Sequence, residues 1–422
     1  MTSTLELIER RNSTIGPYSP LFYNEPIQFV SAKGVWMTDV NGDRYLDAYN
    51  NVPHVGHCND RVVTALAEQA ATLNVHTRYL NERVVNYAER LLATFDERLD
   101  RVFFTNSGSE ANELAIRIAR QHTRAKGMIV SDFSYHGNTI TLAELTTGLD
   151  AVEALAPHVR AIRIPDMDIE ERPEAEVLAA TLAELDAAIA SLQEAGYGVA
   201  ASLFDSLFST EGMPRLPEGL VDGIVDRIHA AGGLVIADEV QSGFGRTGTS
   251  MWGYQYVGMQ ADLVTLGKPM GNGHPMGAVV TSEALLEEFG SANMFFNTFA
   301  GNPVSAAVGE AVLLEMDEKQ LMDRARVVGA DALVRFQEFA DSYDFIRSAK
   351  GVGTFLGLDF AIDGEPAPQL AKQVVEAVKA RKVLISRIGR DDSVLKVRPP
   401  LAFSKQELPL LLDTLGEALS EV

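Results

Sequence analysis

From residue 101 to about 282 the chain repeats one pattern: a short apolar run, then a longer segment whose apolar positions recur at helical spacing. The short runs are RVFFTNS (101–107), GMIVS (127–131), GVAASLFD (198–205), GGLVIAD (232–238), ADLVTL (261–266) and MGAVVTS (276–282). They are too brief for helices and apolar at successive positions, which predicts strands buried on both faces. SEANELAIRIARQH (109–122), an Ala/Leu stretch near 176–195 and a segment near 218–231 are expected as helices. Strands alternating with helices imply an α/β chain with a mostly parallel, doubly covered sheet. Near the start, VWMTDVNGDRYLDA sets Asn41-Gly42 between two alternating runs, the signal of a tight hairpin. Beyond about residue 305, long helical segments alternate with GTFLGLDFAI (353–362), VLIS and VLKVR, which predicts a smaller α/β domain joined by the N-terminal hairpin. The expected division is 1–54 with the small domain, 55–310 as the large domain and 311–422 as the rest of the small one.

Composition narrows the function. At 422 residues and 46% hydrophobic content the chain can bury a large core. A formal charge of −22 argues against nucleic acid or an anionic membrane as partner, since both need a basic face. An anionic small substrate would then need a local basic pocket. The opening MTSTLELIERRNSTIGP lacks a basic stretch followed by an apolar one, and no apolar run is long enough to cross a bilayer. The cytoplasm is therefore expected. Cys58 is the only cysteine, so no intrachain disulfide can form.

The stretch ADEVQSGFGRTG (237–248) spells the glycine pattern of a dinucleotide-binding loop after an apolar strand. That loop needs its first glycine at the strand end and a helix behind it, so that pyrophosphate sits on the helix N-terminus. Here Asp238-Glu-Val-Gln-Ser intervenes, and TSMWGYQYVG after the glycines has no helical spacing. A nicotinamide cofactor is not expected.

Instead the stretch offers an acid at the end of a buried strand, which is costly unless a cation pairs with it; a protonated cofactor ring nitrogen is one such cation. Lys268 follows a second buried strand in DLVTLGKPMGNGHPMGAVV. A surface lysine is the ordinary reading, but at the end of an all-apolar strand Lys268 is a candidate Schiff-base amine, made nucleophilic by a burial-lowered pKa. TNSGSEAN (105–112) is a strand-to-helix turn with free backbone donors, suited to a phosphate or equally to an ordinary serine cap.

Together TNSGSEAN, FSYHGNT (133–139), IADEVQSGFGRTG, LGKPMGNGHP, FNTFAGNPVSAA (296–307) and VRPPL (397–401) resemble, in order and spacing, the class-III aminotransferases, pyridoxal-phosphate enzymes of fold type I. The resemblance runs over nearly the whole chain. It implies a mostly parallel seven-stranded sheet between helices in the large domain, a cofactor of pyridoxal 5′-phosphate, and a homodimer with shared active sites. It assigns Lys268 to the covalent lysine and Asp238 to the acid holding the pyridinium proton, which keeps the ring an electron sink. Gly108 and Ser109 match the phosphate turn, Tyr135 the stacking aromatic, Val240 the residue behind the ring, and Gln241 the partner of the ring hydroxyl. His136 is expected as a pocket wall. Thr298 resembles the threonine that reaches the phosphate in the neighbouring subunit.

IGPYSPLFY, YLDAYNNVPHVGHCNDRVVTALAEQ, LNVHTRYLNERVVNYAERL and the GNGHP after the lysine are similar to the phosphoethanolamine phospho-lyase branch. That implies a lyase that expels phosphate from a phosphorylated amine to give acetaldehyde and ammonia. An ω-aminotransferase on the same site is the alternative, and a catalytically silent binder is a third class that retention of Lys268 and Asp238 argues against. Arg398 occupies the position of the family's substrate-carboxylate arginine, and Arg78 is a second candidate for the substrate phosphate, a surface salt bridge being its bland reading. Asp205 stands where many relatives carry a glutamate and is expected to face Arg398. His54, His57 and Cys58 are spaced like zinc ligands without a second ligand pair, so no metal is expected. They are expected as loop packing, with Cys58 buried.

Overall fold

The computed structural model describes residues 3–149 and 152–422. At its centre lies a seven-stranded sheet in the spatial order Arg101–Thr105, Gly277–Thr281, Leu263–Leu266, Leu234–Asp238, Ala201–Asp205, Met128–Ser131, Val159–Ile162. All six expected strands are present, and five of them are buried at every position. Only Gly277–Thr281 runs antiparallel to its two neighbours; the other pairings are parallel. The strand the sequence pattern did not announce, Val159–Ile162, is the edge of the sheet. Its residues Arg160 and Ala161 are half-buried, so its sequence VRAI lacks the apolar run of a doubly covered strand.

Alternate residues of each strand serve opposite faces. Leu234 and Ile236 pack with Ala111, Leu114, Ala115 and Ile118 of the helix Gly108–Thr123. Val235 and Ala237 pack on the other side with the helices Glu174–Glu194, Leu220–Ala230 and Pro303–Glu318. The last of these runs unbroken through residues 310 and 311, and the change of core comes later, between Ala325 and Val328.

The second core joins the two ends of the chain. The hairpin Trp36–Asp39 and Arg44–Asp47 turns at Gly42, whose φ of +89° only glycine adopts readily, and Val383–Leu384 then pairs in parallel with Leu46 and Asp47. A second small sheet contains Ile346–Val352, Phe355–Ile362, Val394–Lys396 and Ser386–Ile388. The helix Thr4–Thr14 buries no residue, which is why no apolar periodicity marks it. Among the described residues no helix is long and apolar enough to cross a membrane.

The glycines of ADEVQSGFGRTG are used for close packing. Gly245 and Gly248 have φ of +72° and +77°, and a Cβ on Gly248 would stand 2.4 Å from the backbone nitrogen of Arg326. On Gly245 it would meet nothing nearer than Met322 Cβ at 3.2 Å. Gly248→Ala is therefore expected to destabilise by about 3 kcal/mol, through backbone clash added to strain, against about 1 kcal/mol for Gly245→Ala. Thermal unfolding of the two variants checks the order; equal melting temperatures would contradict it.

Candidate active site

In parallel sheets the carboxyl ends of the strands leave room for ligands, because the connecting loops diverge there. Asp205 and Asp238 end neighbouring strands in register, and Lys268 follows the next strand after Gly267. Around these ends lies a cavity of ≈ 240 Å³, and nine of the residues singled out from the sequence line it. Gly108 and Ser109 come from the first helical turn, Tyr135 and His136 from the loop after Met128–Ser131, and Val240 and Gln241 from the loop after Asp238. Asp205, Asp238 and Lys268 complete it. A larger cavity of ≈ 480 Å³ lies near Leu216 and Tyr256, but its cations are already paired, Lys350 with Asp166 and Asp359 and Arg215 with Asp168.

Asp238 is 5% exposed. Burial works to raise its pKa, but the hydrogen bond and charge of His136, then Asn112 and the Val240 amide, outweigh it and hold the carboxyl below its usual range. His136 Nδ1 lies 2.8 Å from Asp238 Oδ2, Asn112 Nδ2 donates to the same oxygen at 2.9 Å, and Val240 N donates to Oδ1 at 3.0 Å. His136 is thus more than a wall: its Nδ1–H donates to the carboxylate, since a carboxylate only accepts. Its Nε2 is enclosed with no partner among the described residues. Asn112 was not singled out from the sequence. The signal was there, an asparagine on the otherwise apolar buried face of a helix, held by Thr265 Oγ1 donating to its Oδ1 at 2.6 Å.

Lys268 opens onto the cavity with protein packed around it otherwise. Burial lowers the pKa of its amine and Arg398 adds to this, while Asp238 and Asp205 oppose. The neighbouring Glu239 faces away and fixes the loop: its carboxylate accepts from Ser206 Oγ and Ser242 Oγ and from the backbone amides of Gly253 and Tyr254, both at 2.7 Å.

The arrangement suits a flat aromatic aldehyde carrying a phosphate. A Cβ on Gly108 would lie 2.8 Å from Val240 Cγ2 and one on Gly137 2.5 Å from Ser109 Oγ, so this wall has room for a ligand only as glycine. The helix Gly108–Thr123 begins there, with Ser107 accepting from Glu110 N at 3.2 Å, and its first amides face the cavity. An ionised buried carboxylate and an amine of lowered pKa supply the counter-charge and the nucleophile.

Some expected residues stand elsewhere. Asp205 forms no ion pair with Arg398; its oxygens accept from Leu207 N at 3.0 Å and from the Ser209 hydroxyl and amide, because its own loop turns back over the short side chain. Arg398 instead donates to the Gln241 side-chain oxygen, which also lies 3.3 Å from Lys396 Nζ. Lys396, 7% exposed, was missed by sequence reasoning, although a lysine inside the apolar run VLKVR was the available sign. Arg78 and Thr298 are exposed and outside the cavity of their own chain, Arg78 lying over the Phe296 ring at 3.9 Å. His54 Nε2 is 2.6 Å from Phe244 O, and His57 Nε2 is 2.6 Å from Asp47 Oδ2. Cys58 is exposed, contrary to expectation, because φ of +45° puts it on an outer turn.

A doubly wound fold with a lysine and an aspartate meeting at its strand ends defines a class of aldehyde-cofactor enzymes, and the chain belongs to the class-III aminotransferase family, whose model matches residues 21–419. The chain is 36% identical to an alanine–glyoxylate aminotransferase 2-like protein of Drosophila melanogaster, covering 100% of this chain and 88% of that one. It is 32% identical to ethanolamine-phosphate phospho-lyase homolog 1 of Caenorhabditis elegans, covering 98% and 93%. Among solved structures, a phospholyase from Arthrobacter in complex with phosphoethanolamine is 57% identical, with a TM-score of 0.97 over 99% of this chain and 100% of that one.

Glu211, in the loop after Ala201–Asp205, has one oxygen bonded to Ser131 and the other enclosed without a partner among the described residues. Burial raises its pKa from 4.5 to about 8, so the folded chain keeps a proton that the unfolded chain has lost. Where the folded state binds more protons, stability falls as pH rises, here between about 4.5 and 8. Glu211→Gln is expected to flatten the fall of melting temperature between these pH values. A curve parallel to the wild type's would contradict the assignment.

Proposed function

We propose that this enzyme uses pyridoxal 5′-phosphate to eliminate phosphate from O-phosphoethanolamine, or a related amino-alcohol phosphate, the product then taking up water to give, from phosphoethanolamine, acetaldehyde and ammonia. The observation that carries the reading is the 57% identity with a phospholyase holding phosphoethanolamine. The cavity that gathers Lys268, Asp238 and the glycine wall agrees with it.

The bound cofactor supplies an aldehyde that condenses with amines and a ring that takes up an electron pair. Lys268 Nζ is the amine that holds it. Asp238 keeps a proton on the ring nitrogen, and His136 and Asn112 keep Asp238 ionised and aimed. Tyr135 and Val240 would flank the ring, Gln241 would meet its hydroxyl, and Gly108, Ser109 and the helix amides would hold its phosphate. With the substrate amine bound to the cofactor in its place, Lys268 Nζ would be free to accept the proton from the carbon bearing that amine. An electron pair is then left beside the carbon–oxygen bond to phosphate, and expulsion of that good leaving group competes with return of the proton. Arg398 meets the substrate anion, and Asp205 closes the pocket beside it. The Drosophila relative favours transamination as the second reading, which requires a keto acid.

A homodimer completes the site. Leu80, Met294 and Phe299 are exposed apolar side chains around Arg78 and Thr298, a patch of the kind that a second copy covers. In this reading Thr298 and Arg78 of one subunit serve the cofactor phosphate and the substrate phosphate of the other.

Incubation with phosphoethanolamine and no keto acid is expected to release inorganic phosphate. Lys268→Ala should lower the rate by about 10³-fold or more, since it removes the base. Dependence on a keto acid, with no phosphate released, would establish the transaminase instead. Arg78→Ala and Lys268→Ala proteins, mixed and reassembled, are expected to recover roughly a quarter of wild-type activity, because half the dimers are mixed and each holds one intact site. No recovery would place Arg78 outside the shared site.

A further inference from the structure

Lys396 and Arg398 are buried, at 7% and 3% exposure, on one face of the same extended segment. Neither forms an ion pair with any described carboxylate. Both aim at one neutral acceptor, the side-chain oxygen of Gln241. The rest of their surroundings offers aromatic faces, a weak attraction in place of a counter-ion. Phe355 lies beneath both, with Lys396 Nζ 5.7 Å and Arg398 Cζ 5.3 Å from its ring centre, and Tyr49 lies 5.7 Å from the guanidinium. Arg398 Nε is enclosed without a partner among the described residues. Asp205, the nearby carboxylate, spends its oxygens on Ser209 and Leu207.

Burying one unpaired cation is unfavourable, and burying two side by side is more so, because they repel in a medium of low dielectric. Burial followed by mutual repulsion drives the Lys396 pKa well down and that of Arg398 to about 10 by burial. Two cations and one shared acceptor satisfy each other only when an anion of matching charge enters. A carboxylate brings one charge, whereas a phosphate monoester brings about two near neutral pH.

We propose that Lys396 is a specificity residue that makes, with Arg398, a subsite for a dianionic phosphate at the cofactor-distal end of the substrate, and so separates phosphorylated amines from carboxylated ones. This rests on the lyase reading for the identity of the substrate, but not for the existence of the anion subsite. Gln241 is both a wall of the cavity and the acceptor for both cations, which puts the subsite next to the reacting groups. On anion entry the Gln241 oxygen is relieved by phosphate oxygens, which bind both cations by charge-assisted hydrogen bonds.

The test is calorimetric titration of the holoenzyme with inorganic phosphate and, separately, acetate, for wild type, Lys396→Met and Lys396→Arg, with KM and kcat for phosphoethanolamine alongside. Lys396→Met is expected to weaken phosphate binding and raise KM by about 10²-fold, with a much smaller change in kcat and in acetate affinity. Lys396→Arg, which keeps the charge, should recover most of the loss. Lys396→Gln is the second neutral variant should the methionine protein not fold. Phosphate affinity within about threefold of wild type in a folded neutral variant, or equal losses for phosphate and acetate, overturns the proposal. Wild type that releases phosphate from phosphoethanolamine while the neutral variant keeps its KM removes the subsite and leaves the lyase. Wild type that binds phosphate through Lys396 yet releases none from phosphoethanolamine removes the lyase and leaves the subsite.

Discussion

One carboxylate, that of Asp238, is kept ionised in a place where burial alone would protonate it. The remaining features of the site follow from meeting that requirement. Three donors converge on it from separate parts of the chain: the His136 ring, the Asn112 amide and the Val240 backbone. A fixed negative charge at the floor of a cavity favours a cationic ring above it, and such a ring is what stabilises an electron pair on a neighbouring carbon. Remove the donors and the carboxyl would take up a proton, leaving nothing to hold the ring in its charged form.

The parallel sheet is the device that makes this affordable in geometric terms. Asp205, Asp238 and Lys268 stand at or just beyond the ends of adjacent strands because Ala201–Asp205, Leu234–Asp238 and Leu263–Leu266 pair in parallel register. Their strands are buried throughout, so the functional groups project from a fully packed core while the loops above diverge. Glu239 turns the other way from Asp238 and ties the following loop with four hydrogen bonds, so that Val240 and Gln241 have fixed positions.

In the proposed subsite the anionic end of the substrate falls to the other core. Lys396 and Arg398 belong to the C-terminal part of the chain, yet they meet Gln241 of the large sheet's loop. Two cations held by one amide oxygen are in balance only with an anion present. A chain carrying −22 overall can thus still bind an anion, because the charge that matters is local and dehydrated.

By itself the sequence determined most of the large sheet, its covering helices, the hairpin and the residues that line the cavity. Strands buried on both faces are mostly apolar, with small polar exceptions such as Ser202 and Thr265, and the close-packed turn at Gly108 must be small, so both leave marks in the residues. The edge strand Val159–Ile162 and the surface helix Thr4–Thr14 left none, since solvent accepts polar residues there. Only the tertiary structure decided who partners whom. Asp205 turns into its own loop, Cys58 faces solvent, His136 holds Asp238, and Lys396 and Arg398 beside the second core both meet Gln241 of the large sheet's loop. The contacts of His136 with Asp238 and of Lys396 with Gln241 link positions more than a hundred residues apart in the chain, and local spacing carries no record of them.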